Sequence, residues 1–304
     1  MFIDFRPIVF VAGVLLSMIA MAMLVPTFAD LAVNNPDWKV FLLSSGFTLF
    51  VSGIMILTTR TESKSLNIRQ AFIMTTLVWI LLPAFAALPF LAARDLNLTY
   101  TDAFFEAMSG LTTTGSTVVS GLEMAPPGIL LWRSILQWMG GVGIVVMAIS
   151  ILPMLQVGGM QLFRMEFSDR IEKALPRAAQ LGTWIFGIYI ALSVTCAYLY
   201  WLAGMNMFDA INHAMTTVAT GGFSTHDASF GHFSNGTIDA IATLFMILGS
   251  LPFLLYLQLV RRDWQPFFVD TQVRWFFGIL GTAVGLMTGY LMAHNGYGLL
   301  EALR

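Results

Sequence analysis

The chain has 304 residues, 57% of them hydrophobic and 11% charged, with a formal net charge of −2 at pH 7. Soluble domains carry about 25% charged residues, so this chain cannot solvate a compact surface and reads as an integral membrane protein. A cytosolic enzyme and a disordered chain are excluded, and so is a nucleic-acid binder, because no basic surplus meets phosphate.

A helix needs about 20 apolar residues to cross a bilayer. In chain order the uncharged runs are Pro7–Ala29, Val40–Thr59, Gln70–Ala93, Ser134–Phe163, Ala178–Phe208, Ala240–Val260 and Trp275–Ala293. The first resembles a secretory signal, but its apolar core is long and another span follows directly. With the N-terminus inside, most of the 15 basic residues fall on the cytoplasmic side: Arg6, Arg60, Lys64, Arg69, Arg164, Arg170, Lys173, Arg177, Arg261, Arg262 and Arg274. That asymmetry predicts a cytoplasmic N-terminus.

Two apolar stretches are too short to cross. They are Asp102–Leu111 and Asp209–Val218, each opening with Asp, a good N-cap, and each ending in a Thr/Gly-rich run. Stretches of this length are expected to be re-entrant half-helices. They are also copies of each other. With Gly115 set against Gly222, the pairs Asp102/Asp209, Ala103/Ala210, Ala107/Ala214, Met108/Met215 and Thr113/Thr220 are identical. A span precedes and a span follows each copy, so the chain repeats a unit of helix, half-helix, turn and helix. Such repeats in membrane chains place a pathway at the axis between them.

A helix that stops inside a membrane leaves its last carbonyls without partners. That is tolerated only where the backbone is buried in protein or lines a watery cavity. The carbonyl end of a helix favours a cation. The turns Thr112-Thr113-Thr114-Gly115-Ser116-Thr117 and Ala219-Thr220-Gly221-Gly222-Phe223-Ser224-Thr225 add more oxygens and no basic group. Backbone carbonyls that replace a hydration shell are how potassium filters work, so oxygen-only turns of this kind suit a hard monovalent cation.

Four further segments carry a family resemblance: Leu111–Gly115, Gln137–Ile144 (QWMGGVGI), Ile151–Leu162 (ILPMLQVGGMQL) and Gly221–Ser229 (GGFSTHDAS). Together they resemble the Trk potassium uptake proteins of the TrkH type, in the Trk/Ktr/HKT superfamily. The resemblance implies an all-α polytopic fold: two extra N-terminal helices, then M1–pore helix–M2 repeats around a potassium pore. It implies potassium coordination by Thr112, Thr113, Thr114, Gly115, Ala219, Thr220, Gly221 and Gly222, mainly through the backbone. It also implies a homodimer in the bacterial inner membrane, a cytosolic nucleotide-binding regulatory subunit of the TrkA type, and no organic cofactor in this chain.

The expected organisation is 1–69, two N-terminal helices and a cytoplasmic loop; 70–155, the first repeat; 156–179, a cytoplasmic linker; 180–262, the second repeat; 263–304, the first helix of a third. The family needs four pore loops and this sequence holds two, so it is expected to be part of a longer protein, inactive in uptake by itself. The alternative is a symporter with alternating access and an occluded site at the broken helices. An intramembrane enzyme is disfavoured, because no nucleophile–base pair or carboxylate pair stands out at membrane depth.

Several residues invite two readings. Glu106, with His213 as its counterpart, either supports the first turn from behind or attracts ions. Arg133 either pairs with Glu106 or Glu123, or snorkels to the interface. His226 and Asp227 either form a solvated loop or draw cations. Gly140, Gly141, Gly143, Gly281, Gly285 and Gly289 are expected to let helices pack closely. Pro83, Pro89, Pro153 and Pro252 are expected to kink or end helices, and Cys196 is expected to be a buried small hydrophobe.

Overall fold

A computed structural model describes residues 4–59, 68–94, 96–155, 174–260, 262–299 and 302. They form thirteen α-helices with no strand among the described residues. These are α1 (Arg6–Ala22), α2 (Leu24–Ala32), α3 (Trp38–Thr58), α4 (Ile68–Ala86), α5 (Leu88–Ala92), α6 (Tyr100–Leu111) and α7 (Pro127–Leu155). They continue as α8 (Ala174–Leu202), α9 (Met207–Val218), α10 (Gly236–Ser250), α11 (Phe253–Val260), α12 (Gln265–Val269) and α13 (Thr271–Asn295).

Five helical stretches among the described residues are long and apolar enough to cross a membrane: 6–32, 38–58, 69–92, 181–202 and 271–295. The pair α10 and α11, bent by 92°, makes a sixth. Pro252 sits at that bend, where its missing N–H and its ring forbid a continuous helix. Pro83 lies inside α4 and Pro89 opens α5, so the third run breaks where its prolines predict. The fourth run begins in α7, and its remainder lies outside the described residues together with most of the 156–179 linker.

The half-helices are α6 and α9, of 12 residues each. Their first turns correct the sequence reading: Asp102 and Asp209 are not the N-caps. Thr99 and Asn206 hold that position, and each accepts a hydrogen bond from the backbone N–H of the Asp three residues on. The Asp102 carboxylate in turn accepts the Thr99 backbone N–H at 3.1 Å, closing a capping box. The carboxylate therefore faces the helix N-terminus, whose dipole it suits.

The two half-helices are buried in separate cores. Ala103 and Ala107 are buried in a core with Met23, Phe41, Phe90, Trp132 and Leu136. Their counterparts Ala210 and Ala214 are buried in a second core with Tyr189, Tyr200 and Phe245. Small residues on that face let the half-helix approach its neighbours.

Glycines in the following helices do the same at the inner end. A Cβ on Gly140 of α7 would overlap the Leu111 carbonyl, and one on Gly249 of α10 would overlap the Val218 carbonyl. The two carbonyls are equivalent ends of α6 and α9, so this close approach is part of the repeat. Gly141 is also crowded, by Tyr189 and Ala219. Gly143, Gly281, Gly285 and Gly289 have no atom within 4 Å of an added Cβ, so the expected close packing is not met there among the described residues. The reason for the last three is the exposure of α13 along most of its length.

Polar groups tie α7 to its neighbours. Asp30, fully buried on α2, accepts the Gly128 N–H at 2.6 Å and so caps α7. Trp138 of α7 donates to Ser193 at 2.9 Å, and the Tyr189 hydroxyl donates to the Trp138 carbonyl at 3.1 Å, joining α7 to α8.

Candidate functional site: paired re-entrant turns

The two half-helices end in the same way. Thr113 N–H bonds to Gly110 O and Thr114 N–H to Ser109 O, both at 2.9 Å. Thr220 N–H bonds to Thr217 O and Gly221 N–H to Thr216 O, again at 2.9 Å. This is a Schellman ending, which needs a left-handed residue just past the helix. Threonine fills that position in both copies, with φ of +54° at Thr113 and at Thr220. A β-branched residue rarely adopts this conformation. Two positions on, Gly115 and Gly222 are again left-handed, at +78° and +85°.

Residues of positive φ thus alternate with Thr114 and Gly221, whose φ is not positive. The carbonyls of Thr112, Thr113, Thr114 and Gly115 accept no hydrogen bond from the described residues, and neither do those of Ala219, Thr220, Gly221 and Gly222.

The turns also meet. A Cβ on Gly115 would overlap the carbonyl of Gly221, so the first turn packs directly on the second. Gln137 of α7 wedges behind this contact. Its Oε1 accepts the Phe223 N–H at 3.1 Å, and a Cβ on Gly221 would overlap its amide. Thr112 stays local: its hydroxyl donates to Met108 O at 2.8 Å and stands 2.7 Å from the Thr114 hydroxyl. Ala219 packs against Gly141.

Behind each turn, a polar side chain on the half-helix holds the returning strand. Glu106, fully buried, accepts from Thr117 Oγ1 at 2.9 and 3.1 Å and from Val118 N–H at 3.1 Å. Its counterpart His213, also fully buried, pairs with Ser224 Oγ at 3.0 Å, and Ser224 is the counterpart of Thr117. Both Glu106 oxygens face this scaffold, which supports the reading of Glu106 as structural support.

Arg133 does not snorkel. It is 1% exposed, and its Nε meets Glu106 Oε1 at 2.7 Å. Its Nη1 donates to the Ser224 carbonyl at 2.8 Å, and its guanidinium lies 4.1 Å from the Phe223 ring centre. One side chain thus joins the first half-helix to the strand after the second turn. Asp227 is likewise engaged: its carboxylate accepts the N–H groups of Gly121 at 2.8 Å and Leu122 at 3.1 Å. The loop after one turn is stitched to the loop after the other. Sequence reasoning missed Gln137 as a site residue. A glutamine in an apolar span was the available signal.

Repeated half-helices that end in carbonyl-bearing turns, stacked against each other inside a bundle of spanning helices, define a multi-spanning membrane protein of the pore-loop class. The profile of a cation transport protein family, TrkH, matches residues 38–292. This chain belongs to that family and is a multi-pass protein of the bacterial inner membrane.

It is 39% identical over 296 residues to the Trk system potassium uptake protein TrkH of Escherichia coli K12, covering 96% of this chain and 61% of that protein. It is 34% identical to TrkG of the same organism, covering 96% and 60%. The crystal structure of the potassium transporter TrkH from Vibrio parahaemolyticus superimposes with a TM-score of 0.90 at 35% identity, covering 99% of this chain and 62% of that one. The chain thus spans about three fifths of the length of these relatives.

Proposed function

We propose that this chain forms part of a potassium uptake pathway across the cytoplasmic membrane, with Thr112–Gly115 and Ala219–Gly222 as two walls of its selectivity filter. The observation that carries the reading is the left-handed pair Thr113/Gly115 repeated at Thr220/Gly222, with free carbonyls between and beside them. Oxygen dipoles alone suit a hard monovalent cation, and their number and orientation discriminate between ions. The names of the relatives, all potassium uptake or transport proteins, agree with this chemistry.

The organisation read from the sequence goes with it: repeats at 70–155 and 180–262, two helices before them, the first helix of a third after them, and a cytoplasmic N-terminus. A homodimer and a nucleotide-binding TrkA-type subunit belong to the same proposal, on the family resemblance.

The test is a chimera in which residues 1–304 replace the matching part of the Escherichia coli relative, expressed in cells lacking their own potassium uptake. Growth at low potassium, with rubidium uptake inhibited by potassium and not by sodium, is the expected result. A correctly inserted chimera that takes up neither ion would contradict the proposal.

A further inference from the structure

Past the second turn, three metal-ligating side chains converge where the loops after the two turns meet. His226 and His232 come from the segment after the second turn and Glu123 from the segment after the first. Their ligand atoms lie within 4.8 Å of one another. The two imidazole rings are parallel, with centroids 3.6 Å apart and planes within 4°. Phe233 sets its edge against both, at 5.5 and 5.2 Å.

The orientation of His226 is the informative feature. Its Nε2 stands 3.2 Å from Asp209 Oδ2, on the first turn of the second half-helix. A proton on Nε2, donated to that carboxylate, leaves Nδ1 with its lone pair. Nδ1 is buried and has no hydrogen-bond partner among the described residues, and it lies 3.8 Å from Glu123 Oε1. A histidine whose far nitrogen is anchored on a carboxylate while the near one points at other ligands is the usual arrangement around a protein-bound metal.

We infer that Glu123, His226 and His232 form a binding site for a zinc-class divalent transition-metal ion, bridging the loops that follow the two turns. Two imidazoles and one carboxylate, with water in the fourth position, suit zinc in tetrahedral coordination. The same set suits potassium and magnesium poorly, because those hard cations take oxygen ligands. On a tetrahedral zinc the ligand atoms would stand about 3.3 Å apart. Stacked rings hold their in-plane lone pairs parallel, so the exposed His232 must tilt out of the stack to close that gap, and the exposed Glu123 must share the Oε1 that accepts the Asp227 N–H at 3.1 Å, while His226 stays on Asp209. A bound ion would cross-link the two loops that Asp227 already stitches, and it would add positive charge beside them. The binding claim does not rest on the transport reading.

Isothermal titration of the purified full chain with zinc chloride tests it. The expected result is saturable binding of one zinc per chain, unmoved by excess magnesium. His232→Ala and Glu123→Gln should each weaken it roughly tenfold or more, and His232→Cys, which supplies a thiolate, should retain it. His294→Ala, at a histidine far along the chain on α13, should bind as the parent does. Absence of saturable zinc binding in the parent, parent-like affinity in His232→Ala, or displacement of zinc by magnesium would each overturn the proposal. Calorimetry reads no transport, so its failure and a failure of the uptake experiment are separate results.

Discussion

At the scale of single residues, the least replaceable contact is the buried pair of Arg133 and Glu106. Both are essentially unexposed, and the carboxylate is further fixed by Thr117 and Val118. Removing one partner of a buried pair leaves an uncompensated charge and costs about 3–5 kcal/mol. Arg133→Met alone should therefore lower the melting temperature of the detergent-purified protein sharply. Arg133→Met combined with Glu106→Gln should recover most of that loss, because no lone charge remains and the Gln oxygen still accepts from the returning strand. A double variant as unstable as the single would show that the arginine acts through its Phe223 and Ser224 contacts instead. The pairing was one of the two readings the sequence offered for Arg133. The bond to Ser224 was not legible, because a lone sequence carries no information about which distant loop an arginine reaches.

At the scale of elements, the half-helices are placed by close backbone approach. Gly140 and Gly249 receive the last carbonyls of the two half-helices, and a methyl group at either position would collide with a carbonyl oxygen. Overpacking of this kind costs about 1–3 kcal/mol. Gly140→Ala and Gly249→Ala should each lower the melting temperature, whereas Gly285→Ala, with open space around it, should raise it through helix propensity of about 1 kcal/mol. Equal behaviour of all three would refute the packing account. The duplication of α6 and α9 was plain in the sequence, since identical pairs recur between Asp102/Asp209 and Gly115/Gly222. Their N-caps were misassigned because Asp is favoured both as a cap and in the first turn. The pattern Thr99-x-x-Asp102, a capping box in outline, is what distinguishes the two.

At the scale of the whole molecule, the spans and the repeat were readable from hydropathy and self-similarity. Membranes demand long apolar runs, and a broken helix leaves a conspicuous polar interruption. The stitching across the chain was not readable: Asp227 to Gly121 and Gln137 to Phe223 join the two repeats, and Asp30 to Gly128 joins the N-terminal helices to the first. The side of the membrane each loop faces rests on the lysine and arginine bias. A cysteine at Ser63 should react with an impermeant thiol reagent only in inside-out vesicles, and one at Asn97 only from the periplasmic side. The opposite labelling would invert the topology.

The central claim is that the two Thr/Gly turns discriminate between ions, and the glycines test it unequally. Serine at Gly115 meets both a left-handed backbone and the Gly221 carbonyl, so Gly115→Ser should reduce abundance as well as function. Serine at Gly222 meets open space and only the left-handed strain, roughly 1–2 kcal/mol. Gly222→Ser should therefore fold, while its neighbouring carbonyls turn. A change of 1.4 kcal/mol in ion preference is about tenfold in relative affinity. The measurement is rubidium uptake by the chimera, in competition with sodium and with potassium, comparing Gly222→Ser, Gly285→Ser and the parent at matched abundance. The account predicts that sodium competes strongly in Gly222→Ser alone. Parent-like preference in Gly222→Ser, with altered preference in Gly285→Ser, would contradict it.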